Sequence, residues 1–157
     1  MVATVVTALS LVALLIGGSA NEPKPPVSHS EGPISVVFVA LVQDEADKWQ
    51  PVRTRDVPFR PGRSGYGWVA EMPSSAEVVV IDTISLPKPA TIWPKTMVVT
   101  EDGRVGTETR HQTPTANRLS HFWTIAEGDP VGDYELTVSI NSVVNRFRFR
   151  VTAENPV

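Results

Sequence analysis

The stretch that decides the fold is Asp129-Pro-Val-Gly-Asp-Tyr134-Glu-Leu-Thr-Val-Ser-Ile140-Asn-Ser-Val-Val-Asn-Arg146-Phe-Arg-Phe-Arg-Val151. Tyr134, Leu136, Val138 and Ile140 alternate with Glu135, Thr137 and Ser139, and after Asn141 and Ser142 the alternation resumes with Phe147, Phe149 and Val151 against Arg146, Arg148 and Arg150. A period of two puts one set of side chains on a buried face and the other in water, which is the pattern of two paired strands. A two-residue loop sets Glu135 opposite Arg148 and Asp133 opposite Arg150, whereas a four-residue loop sets Glu135 opposite Arg150. Both registers keep apolar on apolar and acid on base, each such pair adding roughly 0.2–1 kcal/mol. The C-terminal third is therefore amphipathic hairpin.

Working outward, the opposite end of the chain is of another kind. The first twenty residues carry no charged side chain and hold an apolar run from Val2 to Ile16, followed by Gly17, Gly18, Ser19 and Ala20. Gly18 and Ala20 have the small-residue spacing of a signal-peptidase site, so residues 1–20 read as an export signal cut before Asn21. No Lys or Arg precedes the apolar core, which leaves the α-amino group as its only positive end. A retained anchor or a start further upstream is the alternative, but the run is short against the roughly 17–25 residues of a membrane span. Residues 21–33 hold Pro23, Pro25, Pro26 and Pro33 with Ser28, Ser30 and Gly32, the composition of an extended tether; His29 lies within it. The expected domain is then 34–153, one unit of ordinary size. Net charge is −3 and there is no cysteine. The first argues against a nucleic-acid partner, and the second removes disulfides, thiolate metal sites and an acylated cysteine.

Between the two ends the signals are strands and turns. Ile34–Gln43 is apolar on both faces, as in a strand covered on both sides. Asp44–Lys48 is a turn leading into Trp49. The segment from Arg53 to Arg63 carries Arg53, Arg55, Arg60 and Arg63 around Pro58, Pro61 and Gly62, with Asp56 as its only acid. It is a candidate dock for an anionic group, set against the plainer reading of a crossing segment whose arginines pair with acids elsewhere. Gly65 and Gly67 flank Tyr66 in the next strand and permit a bulge or a close backbone approach. Glu77–Leu86 is a central strand interrupted by Asp82, expected on the solvent side or bonded to a neighbouring amide rather than buried and active. Three prolines between Leu86 and Pro94 make an irregular crossover that lays Trp93 over one end of the core. Glu101, Asp102 and Gly103 form a tight turn, Arg104–His111 is a polar outer strand, and Leu119–Ile125 places its odd-numbered set inside. Trp68, Trp123 and Tyr134 fall on core positions, leaving Trp49 and Trp93 as surface candidates.

Three chemistries were sought. His111 and His121 lie on separate strands near Glu108 and Asp102, and no His-x-His or His-x-x-x-His spacing supports a metal. There is no Gly-x-Ser-x-Gly elbow for a nucleophile, and Glu101 and Asp102, adjacent in a turn, diverge. No cofactor is expected.

The run from Trp123 and Ile125 through Asp129, Pro130, Gly132 and Tyr134 to Phe147, Phe149 and Val151 resembles the last strands of bacterial immunoglobulin-like sandwich domains, with Tyr134 placed like a tyrosine corner. The segment Thr54–Trp68 and the crossover Leu86–Trp93 are similar to exported bacterial sandwich domains of unknown function, and the whole likeness covers about two thirds of the mature chain. The resemblance implies an all-β, immunoglobulin-like antiparallel sandwich of seven to nine strands behind an N-terminal signal helix. It carries over no catalytic residue. The expectation is a non-enzymatic binding or assembly module, periplasmic or extracellular in a bacterium. A protein or peptide partner would be taken by an edge strand or by the arginine segment with Trp49 and Trp93, with no membrane contact beyond the signal. The alternatives are a hydrolase or metal-dependent enzyme built on His111, His121 and Glu108, and a peptidase inhibitor presenting Leu86–Pro94.

Overall fold

The computed structural model describes residues 34–154, so the expected signal helix and Pro-rich tether lie outside the described residues. The described residues contain strands, turns and loops, with no helix long and apolar enough to cross a membrane. The strands are β1 (Ser35–Gln43), β2 (Trp49–Val52), β3 (Asp56–Pro58), β4 (Ser64–Glu71), β5 (Val78–Ser85), β6 (Val98–Val99), β7 (Val105–Gln112), β8 (Arg118–Thr124), β9 (Gly132–Ile140) and β10 (Val143–Thr152). They form two sheets, one of order β2-β1-β4-β8 and one of order β3-β10-β9-β5-β7-β6. Ten strands exceed the seven to nine expected, because β2 and β3 are short pieces of segments that read as turns and crossings, whereas β6 falls within Thr96–Thr100, which reads as a short strand. The sandwich is also not wholly antiparallel: β3 runs parallel to β10, with Val57 beside Val151.

The C-terminal hairpin takes the two-residue loop. Glu135 faces Arg148 and Asp133 faces Arg150. Asn141 and Ser142 both adopt positive φ (46° and 69°), the backbone that a two-residue turn needs to match strand twist. Tyr134, Leu136, Val138 and Ile140 are buried, as are Phe149 and Val151. The Tyr134 hydroxyl donates to the Pro130 carbonyl at 2.7 Å, closing the corner where the chain enters β9.

Cross-sheet contacts show how the layers stack. Phe38 of β1 packs on Phe149 of β10 (ring centroids 4.8 Å apart), Tyr66 of β4 on Tyr134 of β9 (6.0 Å), and His121 of β8 meets Asp82 of β5. β7 and β6 therefore extend beyond β8 with no strand of the smaller sheet above them. Part of that overhang is filled by the crossover. The Trp93 ring lies on Gly106, where a Cβ would collide with it, and its indole N–H donates to Gly103 O at 3.0 Å.

β1 is apolar on both faces, as expected of an inner strand, because a second cluster sits on the outer side of its sheet. Val39, Leu41, Val69 and Phe122 are buried there with Trp49 against them. The glycines of β4 are a close approach and not a bulge, since its pairing with β1 and β8 is unbroken. A Cβ on Gly67 would enter the His121 carbonyl and the Phe122 ring. Two substitutions test this packing in urea unfolding. Tyr134→Phe should lose about 1 kcal/mol, the worth of one buried hydrogen bond, while Gly67→Ala should lose about 1–3 kcal/mol through overpacking.

Candidate binding cleft

The outward side chains of β10 are the basic half of the alternation, and those of β9 are acidic. Arg150 grips Asp133 with two hydrogen bonds, 2.7 and 3.1 Å, which hold the Asp133 carboxyl below its ordinary range. Arg148 donates to Glu135 at 3.1 Å, and Arg146 approaches the same carboxylate at 3.4 Å. Two further guanidiniums flank these pairs. Arg55 donates to the Arg148 carbonyl at 3.0 Å and lies over the Phe38 and Phe147 rings, and Arg104 donates to the Leu86 carbonyl at 3.3 Å. With Asp56 and Ser85 they enclose a cleft of about 580 Å³ whose floor is Leu86, Pro87, Tyr134 and Phe149. Among the described residues neither the Arg55 nor the Arg104 guanidinium is in an ion pair, although the Asp102 carboxylate, which accepts the Arg104 backbone N–H at 3.1 Å, lies within reach of the Arg104 charge.

Of the residues singled out from sequence, only Arg55 reaches this cleft. Arg60 is bound to Glu154 (2.6 Å), and Arg63 to Asp47 and the Asp44 carbonyl (3.3 Å each), the plainer of the two readings of that segment. Arg53 is exposed and lies outside the cleft. Trp49 packs on the outer cluster and Trp93 on Gly106, so neither offers the free aromatic surface expected of it. Sequence reasoning passed over Arg104, Arg148 and Arg150. The last two were visible in the Arg-x-Arg-x-Arg alternation, but there they served only as pairing partners for acids.

A second polar cluster is buried between the sheets. Asp82 has no exposed surface, and its alternation partners Val78, Val80 and Ile84 are core residues, so it faces inward and not toward solvent. One carboxylate oxygen accepts the Trp68 indole N–H at 2.8 Å; the other meets His121 Nδ1 at 2.9 Å and the Arg110 guanidinium in a short contact. The expected partner was a neighbouring amide, and three side chains take that place. Such a carboxylate is tolerated inside because every oxygen is met. The two histidines stay apart: His121 is in this cluster, while His111 is exposed and 3.6 Å from Glu77. Among the described residues no three His, Asp or Glu side chains group to hold a metal. The Leu86–Pro94 crossover is tied down by Trp93 and by Ala90 N donating to Gly103 O.

Removing one partner of a buried charge is far costlier than removing all of them. Asp82→Ala should therefore lose about 3–5 kcal/mol in denaturant unfolding. The triple replacement Asp82→Leu, Arg110→Met, His121→Phe should recover most of that loss. A single substitution costing under about 1 kcal/mol would show that the cluster does not join the sheets.

Residues 36–152 match the family model described as PM0630 beta sandwich domain. No curated protein matches the chain. Among solved structures, that titled "Crystal structure of BslA - A bacterial hydrophobin" is similar at 14% identity, covering 80% of this chain and 100% of that one with a TM-score of 0.38.

Proposed function

The chain belongs to the PM0630 beta sandwich domain family, and we propose that it is a non-enzymatic binding module of the bacterial envelope, exported behind residues 1–20, that holds an anionic group in the arginine-lined cleft. The observation that carries the reading is the pair Arg55 and Arg104, both lining the cleft, each guanidinium bonded to a backbone carbonyl and neither in an ion pair among the described residues. A guanidinium so held presents its remaining N–H donors without further ordering, which suits a carboxylate or phosphate. Arg148 and Arg150 are committed to acids and act as the wall. The ligand is a carboxylate- or phosphate-bearing envelope polymer, since an isolated anion would leave most of a 580 Å³ cleft empty.

Two probes separate the sources: polygalacturonate for carboxylate and long-chain polyphosphate for phosphate. The purified chain should bind at least one of them, with affinity falling as salt rises. The double substitution Arg55→Glu, Arg104→Glu should weaken that binding about tenfold, by charge reversal at two contacts. Binding of neither polymer, or binding indifferent to the substitutions, refutes the cleft as the site. A chain tagged at its C terminus should in addition fractionate with the envelope of a bacterial host; recovery in the cytosol would refute the export reading.

A further inference from the structure

The edges of a sheet are where a β protein meets unwanted pairing, and they are blunted by shortness, proline or charge. Three of the four terminal strands here are blunted, although β3 covers only residues 150–152 of β10 and β6 only residues 106–107 of β7. β2 has four residues including Pro51, β3 has three and ends in Pro58, and β6 has two. The fourth, β8, has seven residues, no proline and no lysine.

Which of its backbone groups face the open side follows from the register. Ile125 N donates to Ser64 O, and Met72 N donates to Asn117 O, both at 2.8 Å, just beyond the two ends of the β4–β8 ladder. Bonded and non-bonded pairs alternate along an antiparallel ladder. Leu119, His121 and Trp123 thus direct their N–H and C=O to β4, while Ser120 and Phe122 direct theirs away from it. Arg118 faces the same way and is closed off by its mutual bonds with Thr115, 3.0 Å each.

Beneath this edge lies the overhanging β7. Gly106 is covered by Trp93, but the next inward positions are Glu108, Arg110 and Gln112. Arg110 Nε and Gln112 Oε1 are buried without a partner, and Glu108, 9% exposed, makes no hydrogen bond or ion pair among the described residues, its carboxylate reaching solvent at the open edge. Polar groups in such a state call for a polar neighbour.

We propose that β8 receives one extended segment of a partner polypeptide, added as a further strand beyond Ser120 and Phe122 and lying over Glu108, Arg110 and Gln112. The acceptors Glu108 and Gln112 select Lys, Arg, Asn or Gln at the segment's inward positions. A second copy does not fit by the same edge. Its own β7 and β6 overhang would enter the layer that these strands already fill. This site goes beyond the arginine cleft and shares no residue with it.

The probe is a displayed library of random nine-residue peptides, selected on the full chain. Enriched peptides should alternate polar and apolar residues, carry a basic or amide side chain at the inward positions, and slow hydrogen exchange at the Ser120 and Phe122 amides at least tenfold. Ser120→Pro, which removes an edge donor without touching the β4 ladder, should weaken them at least tenfold, and Ser120→Ala should not. If Ser120→Pro loses the native near-ultraviolet spectrum, Glu108→Gln with Gln112→Ala takes its place, with the same loss expected for basic peptides. No enrichment, peptides without alternation, unchanged exchange at the two amides, or binding within twofold of wild type in the edge variant each overturn the proposal. Arg55→Glu, Arg104→Glu should bind the peptides as wild type does, so failure of the cleft and failure of the edge are told apart.

Discussion

A carboxylate sealed from water between two β-sheets is the constraint on which much of this fold depends. Asp82 sits at the centre of β5 with no exposed surface, and its oxygens must be satisfied by side chains from elsewhere. Trp68 and His121 come from the smaller sheet and Arg110 from the neighbouring strand of the larger one. These contacts fix β4 and β8 over β5, and the lateral offset of the sheets follows. With β8 held above β5, the last two strands of the larger sheet have nothing of the smaller sheet to pack against. Trp93 covers one end of what is left, through a contact that only glycine at position 106 allows. Phe38, Tyr66, Tyr134 and Phe149 stack in the adjoining core, but burial of apolar surface is non-directional and would not by itself choose this offset.

The hairpin from Tyr134 to Val151 was legible from sequence because one face is buried along its whole length, and a slip of one residue would turn every apolar side chain outward. The same logic placed Trp123 and the odd-numbered set of β8 in the core. Asp82 was misjudged for a local reason. Both faces of its strand read as apolar, so the alternation chose no side for it, and the partners that make burial tolerable come from positions 68, 110 and 121. The four arginines between positions 53 and 63 looked like a patch because they are close in sequence. Folding disperses them, since residues 60–63 turn at the end of β1 while Arg55 runs beside β10. The cleft is gathered instead from β9, β10, Arg55 and Arg104, a set joined by strand order alone. The parallel pairing of β3 with β10 escaped notice too, because three residues carry no readable period.

The two faces of the larger sheet differ in sign, and that difference bears on what the domain can hold. In the cleft on the outer face four guanidiniums meet three carboxylates, with Arg55 and Arg104 outside any ion pair among the described residues. On the inner face Asp82 and Glu108 lie opposite one another in register, and Arg110 is the one guanidinium between these strands on that side. Its bond to Asp82 leaves Glu108 facing the open edge of β8 uncompensated. An acidic polymer therefore finds attraction in the cleft and repulsion at the edge, and a basic extended segment finds the reverse. The inner excess rests on Glu108, only 9% exposed, whereas the cleft is open to screening by salt. Discrimination at the edge then arises less from the backbone bonds, which any extended peptide can make, than from whether its inward side chain relieves a carboxylate that the fold has left without a partner.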